Sequence, residues 1–456
     1  MQQSSSSQER WRSPFAFVMA AVGAAVGLGN IWKFPYMAGA NGGSAFVIFY
    51  LLCVLLIGIP TMMGEVLIGR LGRKNPLDSL KHLAQQHQAS LWWMGISLLG
   101  MLSLLMVLSF YSVVAGWSLA YMSYSLLGWF NHATPEHVAA IWTQLLNSPW
   151  ALLGWHSTFI LMTMLVVARG VEKGIESASR ILMPGLFVIL LLLVIYSAWF
   201  GEFSQALHFL FDFELSKLTP AVMVAAMGQA FFTLALGAGA LLVYGAYLPQ
   251  QTRIGHSIAM VAILDTLVAL LAGLAIFPIV FRYHFEPAAG EGLMYQILPL
   301  TFSTLPGGQW VGCLFFLLLV LAAWTSTFSL AEPMVLTLME KFKITRSKAS
   351  IQIGFLAWLL GIGALLSFNH LHAFKLLFNW SIFETLVTLP TQIFLPLGGL
   401  GFALFAGWVV PAHDAQAGLQ MRSKLLFQSW RFLIRYVVPF AIFIIFINLM
   451  MALFKA

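Results

Sequence analysis

Charge is scarce in this chain. Only 9% of its 456 residues are Asp, Glu, Lys or Arg, against about 25% in a soluble globular domain, so it cannot clothe a large water-facing surface. Cysteine is nearly absent: Cys53 and Cys313 both lie in apolar runs, which argues against a disulfide framework. A Gly-rich loop ending in Lys-Ser or Lys-Thr is missing, so direct use of ATP is not expected. The histidines are scattered, and the pair His370-Leu-His372 is too small to hold a metal by itself. No cleavable signal peptide is visible. Residues 1–13 are polar, rich in Ser and Gln, and carry Arg10 and Arg12, so they read as a short cytoplasmic tail.

What the chain has in abundance is apolar sequence, 60% of all residues. Runs of spanning length fall at 14–38, 45–69, 92–128, 155–168, 181–200, 219–248, 255–281, 309–339, 350–367, 382–409 and 432–454. The fourth is short for a span. Loops are punctuated at Gly72-Arg-Lys-Asn-Pro76, 287–292, Pro306-Gly-Gly308 and Pro411. The expected class is therefore an all-α integral membrane protein with eleven transmembrane helices. With the N-terminus inside, the cytoplasmic side receives every Lys and Arg except Lys33, Lys217, Arg282, Lys375 and Lys455, as the positive-inside rule requires. The C-terminus then lies outside, and Glu202, Asp212, Glu214 and Glu286 fall in outer loops. The net charge of +7 is explained by this asymmetry and does not point to nucleic acid.

Two spans are interrupted near their middles. The first contains Gly23-Ala-Ala-Val-Gly-Leu-Gly-Asn30, the second Phe232-Thr-Leu-Ala-Leu-Gly-Ala-Gly239. Glycine weakens a helix, and an Asn in hydrocarbon needs partners. Unwound backbone at membrane depth is tolerated only inside protein or along a cavity. The breaks open two five-helix blocks, 14–200 and 219–409, separated by an outer loop at 201–218 and followed by an inner loop and eleventh helix at 410–456. Five is odd, so the second block starts from the opposite side, the pattern of an inverted repeat with a midplane site.

These residues resemble a known family. Ala25-Val-Gly-Leu-Gly-Asn-Ile-Trp-Lys-Phe-Pro-Tyr36 is similar to the first-helix signature of the neurotransmitter:sodium symporters. Supporting matches are Asn41-Gly-Gly-Ser-Ala-Phe46, Gly58-Ile-Pro60 with Glu65, Tyr111-Ser-Val-Val-Ala-Gly-Trp117, Gly228-Gln-Ala-Phe-Phe-Thr-Leu234 and Thr325-Ser326. They occur in family order over nearly the whole chain and look most like bacterial amino-acid members with eleven helices. The broken-helix geometry is itself a known property of that family.

The resemblance implies roles. The amides of Leu28 and Gly29 and the hydroxyl of Tyr111 would hold a substrate carboxylate, and carbonyls of Ala25, Phe232 and Thr233 its ammonium. Gly27 stands where monoamine carriers have Asp, which favours a zwitterionic amino acid. Val107, Phe232, Ala235, Ala238, Ser326 and Leu330 would line the side-chain pocket. The two alanines make it large and greasy, with Trp324 a candidate to refill it. Two sodium sites are implied: Ala25, Asn30, Thr233, Asp265 and the substrate carboxylate for one; Gly23, Val26, Ala322, Thr325 and Ser326 for the other. Ser and Thr inside a span also have the option of bonding back to their own helix. Asp265 is costly in an apolar span without a compensating partner. The family often has Asn there, and chloride-dependent members have Ser where this chain has Ala269. A fixed charge at Asp265 is therefore expected to replace chloride, with proton antiport an option on the return step.

Glu65 is expected to prop the unwound first helix, and Glu332 to gate or tune protonation. The expected outer gate is Lys33 with Glu384, since Val387 occupies the usual acid position. The expected inner gate closes Arg10 or Arg12, with Trp11, against Glu340. Together these predict sodium-coupled import of a neutral, hydrophobic or aromatic amino acid by alternating access. The setting would be the cell inner (plasma) membrane, in contact with lipid, as a monomer or weak homodimer. The alternatives are an amino-acid sensor on the same fold and an intramembrane enzyme using Asp265, Glu65 and histidines. The scattered carboxylates and the lack of a nucleophile–base pair disfavour the enzyme.

Overall fold

The computed structural model describes residues 9–285 and 293–455, and every named element in it is helical. Glu286, the loop 287–292, Ala456 and the first eight residues of the tail lie outside the described residues. The spanning segments are α1a (Pro14–Ala25) and α1b (Gly29–Ala40), α2 (Ser44–Gly72), α3 (Leu91–Leu126), α4 (Pro149–Val167) and α5 (Val171–Phe200). They continue with α7 (Ile254–Arg282), α8 (Gly308–Phe342), α9 (Arg346–Leu366), α10 (Ile382–Val409) and α11 (Lys424–Asn448); between α5 and α7 lie two shorter apolar helices, α6a (Pro220–Thr233) and α6b (Ala240–Ala246). All eleven expected runs therefore lie on helices.

Several helices outrun their apolar stretch. The short fourth run starts at Pro149, and the eleventh starts at Lys424. Hydropathy marks what hydrocarbon tolerates, whereas backbone hydrogen bonding carries a helix on into polar sequence wherever a cap starts it. Thr345, for example, accepts from the Lys348 amide and starts α9 ahead of its first leucine.

Both breaks are present. Between α1a and α1b the axis bends by 53°, with Val26 extended (φ −70°, ψ 108°). Between α6a and α6b, Ala235, Gly237 and Gly239 take φ of +50°, +85° and +77°. Glycine adopts such angles freely, but alanine does so at a cost of about 1–2 kcal/mol, so surrounding contacts hold Ala235 there.

The broken helices sit inside the bundle. α1a packs on α5, α7 and α8, and α2 runs along both halves of α6. At the α2–α6b crossing the backbones touch: a β-carbon on Gly69 would collide with Leu242 O, and one on Gly245 with Val66 O. We call the side where α1a starts the tail side and the opposite one the far side.

Candidate functional site

The breaks meet around a cavity of about 60 Å³. Ala25, Gly27, Gly29, Val107, Tyr111, Phe232, Thr233, Ala235, Ala238, Ser326 and Leu330 all line it, so positions far apart in sequence, from Ala25 to Leu330, converge. Leu28 lines a second cavity, of about 330 Å³, on the far side. Gly29, Tyr111 and Phe232 line both and form the partition between them. The Leu28 amide donates to the Tyr111 hydroxyl at 2.8 Å. A β-carbon on Gly27 would stand 2.5 Å from that hydroxyl and 2.7 Å from Ser326 Oγ. The space beside Gly27 is thus bordered by two hydroxyls, and even a methyl group has no room.

Two oxygen-rich clusters flank the cavity. In the first, Asn30 Nδ2 donates to Asp265 Oδ1 (2.8 Å) and Asp265 O (3.1 Å), while Asn30 Oδ1 accepts from the Gly27 amide (3.0 Å). Thr233 Oγ1 lies 3.5 Å from Asp265 Oδ2. Asn30 and Asp265 are both fully buried. In the second, Ser326 Oγ lies 3.2, 3.0 and 3.0 Å from the carbonyls of Gly23, Val26 and Ala322. One hydroxyl proton serves one of these oxygens at a time, so the set is rich in acceptors and poor in donors, which suits a hard cation. Thr325 Oγ1 bonds back to Leu321 and Ala322 on its own helix, both at 3.1 Å.

On the far side, Lys33 and Glu384 are not brought together. Lys33 Nζ stands 3.8 Å from the centroid of the Phe232 ring. Glu384 Oε2 accepts from the Ser381 amide at 2.7 Å, as half of the capping box that starts α10. That local bond takes the carboxylate, and Val387 is what faces the larger cavity beside Lys33.

On the tail side the expected partners are also rearranged. Trp11 is buried, and its Nε1 donates to Tyr244 O at 2.9 Å. The Arg12 guanidinium pairs with Glu172, and its amide donates to Glu176 at 3.1 Å. Glu340 instead accepts from the backbone and side chain of Asn75 (3.0 and 2.7 Å) and does not meet Arg10 or Arg12. The closing charges are Arg346, Glu332 and Glu9. Arg346 Nη2 pairs with Glu332, Nη1 lies 2.8 Å from Glu9 Oε2, and the Tyr247 hydroxyl donates to Glu332 at 2.7 Å. Glu9 also accepts from the Val171 amide, which ties the tail to the start of α5.

Glu65 corrects another expectation: it props the second break, its Oε1 accepting from the Gly237 amide at 2.6 Å. Trp324 lines neither cavity and packs edge-on against Phe328.

Sequence reasoning missed Gln229, whose Nε2 donates to Gly29 O at 2.8 Å across the two breaks. A Gln within an apolar span is the same signal that marked Asn30. It also missed Leu104 and Leu395, which join the lining of the smaller cavity; two leucines among many in apolar helices carry no sequence signal.

A many-spanning helical membrane protein, with two broken helices closing on one buried cavity and layers of closure on either side, is built as a small-molecule transporter. The chain belongs to the sodium:neurotransmitter symporter family, whose profile matches residues 8–145 and 146–455. It is 37% identical over 443 residues to an uncharacterized sodium-dependent transporter of Bacillus subtilis, YhdH, covering 96% of this chain and 97% of that one. It is 28% identical over 298 residues to the Bos taurus sodium-dependent neutral amino acid transporter B(0)AT2, covering 59% and 40% of the two chains. Among solved structures it is similar to MhsT in complex with L-phenylalanine, at 40% identity and a TM-score of 0.89, covering 96% and 99%. The protein is thus a sodium-dependent membrane transporter and not an enzyme.

Proposed function

We propose that this transporter imports a neutral amino acid with a large apolar or aromatic side chain, coupled to two sodium ions and without chloride. The observation that carries the reading is the two-ended cavity. One end is bordered by Gly29 and by the Tyr111 hydroxyl, which accepts from the Leu28 amide at the α1 break; the other is walled by Leu104, Val107, Ala235, Ala238, Leu330 and Leu395. A carboxylate suits the first end, where a helix start offers N–H donors, and an apolar side chain suits the second. Carbonyls of Ala25, Phe232 and Thr233 take the ammonium. Support also comes from the solved relative whose bound molecule is L-phenylalanine and from the neutral amino acid transporter among the relatives.

Sodium is a co-transported substrate here. One ion fits Ala25, Asn30, Thr233, Asp265 and the substrate carboxylate. The other fits the carbonyls of Gly23, Val26 and Ala322 with the hydroxyls of Thr325 and Ser326, both of which give up bonds within the helices to receive it. Asp265, held by Asn30, supplies the fixed negative charge that makes an anion unnecessary.

Alternating access then opens the partition of Gly29, Tyr111 and Phe232 on the far side, with Lys33 acting there. On the tail side it releases Trp11 and the Arg346–Glu332–Glu9 group. The blocks 14–200 and 219–409 act as inverted repeats. The tail lies in the cytoplasm, the C-terminus outside, in the inner membrane, as a monomer or weak dimer.

The test is uptake of a labelled amino-acid panel into proteoliposomes under an imposed sodium gradient, with chloride replaced by gluconate. Accumulation of phenylalanine, tryptophan or leucine that survives chloride removal supports the reading. Binding without sodium-driven accumulation would identify a sensor and sink it.

A further inference from the structure

Beyond the transport cavities, the described residues enclose a cleft of about 490 Å³ on the tail side. It lies between the linker after α6b, which carries Arg253, and the region of the helix Ala412–Leu419, which carries His413 and Gln416 and leads to Gln420 and Arg422. Arg253 and Arg422 are both exposed, and among the described residues neither guanidinium has a hydrogen-bond or ion-pair partner, unlike Arg70, Arg346, Arg431 and Arg435. No carboxylate lines the cleft. The nearest acid in sequence, Asp414, lies 3.1 Å from His413 and 3.8 Å from His87, outside the lining. Gln416 and Gln420 have donated their amide hydrogens to Met421 O and Gln250 O, which shapes the walls. Two forked cations on one unpaired concave surface are a receptor for a phosphate-type anion.

The next two turns say what carries that anion. Directly after Arg422, α11 starts at Lys424 with Leu425 and Leu426 exposed by 72% and 60%, and Phe432 by 58%. The opposite face is seated in the protein through Phe427 and Trp430, whose Nε1 donates to Pro60 O. A cationic cleft beside an outward apolar face, at the end of a membrane span, matches a headgroup at the interface with its chains running down the helix. We propose that the Arg253–Arg422 cleft binds the phosphate of an anionic phospholipid, with its acyl chains along Leu425 and Leu426. The bound headgroup would bridge the linker of α6b, one of the broken halves, to the start of α11.

The test uses the full-length protein in neutral detergent, with energy transfer from its tryptophans to dansyl-phosphatidylglycerol as the readout and dansyl-phosphatidylcholine as the control probe. The expected result is saturable transfer to the dansyl-phosphatidylglycerol only. Arg253→Gln and Arg422→Gln each weaken it by about fivefold, in line with about 1 kcal/mol per basic residue near an anionic surface. Arg253→Lys and Arg422→Lys retain most of it. Each variant is first shown to elute as a single species, and if one Gln variant does not, the other carries the test. Equal transfer to the dansyl-phosphatidylcholine, or unchanged transfer in Arg253→Gln and Arg422→Gln, overturns the proposal. Displacement by millimolar inorganic phosphate would make the cleft a site for free anions and overturn the lipid assignment.

Discussion

Lys33 lies over the face of Phe232, its ammonium 3.8 Å from the ring centroid, and Phe232 in turn forms part of the wall between the two stacked cavities. The ring also rests on Gly29, whose added β-carbon would come within 3.1 Å of it. The partition is thus held from above by a cation and from the side by bare backbone. A cation–π contact out of bulk water is worth about 0.5–2 kcal/mol. Lys33→Met is therefore expected to weaken substrate binding by about twofold to thirtyfold, with Lys33→Arg closer to wild type. Glu384→Gln keeps a capping side chain and should leave the affinity within about twofold. Equilibrium binding of labelled substrate checks all three, and a loss in Glu384→Gln equal to that in Lys33→Met would restore the ion-pair gate.

Gly27→Ala inserts a methyl group 2.5 Å from the Tyr111 hydroxyl and 2.7 Å from Ser326 Oγ. The same displacement breaks the Leu28–Tyr111 contact and shifts a member of the second oxygen cluster. Substrate and sodium affinities should fall together, each by at least about tenfold, the cost of roughly one misplaced hydrogen bond per site. Sodium-dependent quenching of intrinsic fluorescence separates the two losses. A variant that loses only substrate would show that Ser326 does not couple them.

Asp265→Ala removes the carboxylate that Asn30 holds at 2.8 Å. Uptake in chloride-free medium should be abolished, because a buried cation then lacks its compensating charge. Retained chloride-free uptake in this variant would refute the charge-substitution argument.

Arg346→Gln leaves the fully buried Glu332 without its guanidinium. Breaking one side of a buried pair costs about 3–5 kcal/mol, and here the cost falls on the tail-side closure, because Arg346 also holds Glu9. A cysteine placed at Ser13 should become several-fold more reactive to a water-soluble maleimide. Adding Glu332→Gln should recover part of the protection. An unchanged labelling rate would mean that Trp11 alone, through Tyr244, keeps this side shut.

Hydropathy by itself determined the membrane class and the approximate positions of the spans, because a segment in hydrocarbon must satisfy its own backbone with local apolar sequence. Sequence also marked both breaks, through Gly27, Asn30, Gly237 and Gly239, since glycine and a stray amide are anomalies visible in one helix. Asp265 was legible for the same reason. What only the tertiary structure decided is partnership. Lys33 meets an aromatic face because Glu384 is consumed by its own helix start. Glu65 reaches the second break and not the first, because α2 runs along both halves of α6. Glu332 finds Arg346 and Tyr247, and Leu104 and Leu395 enter the cavity wall. A buried charge declares in sequence that it needs a partner, but which one arrives depends on how helices distant in the chain cross.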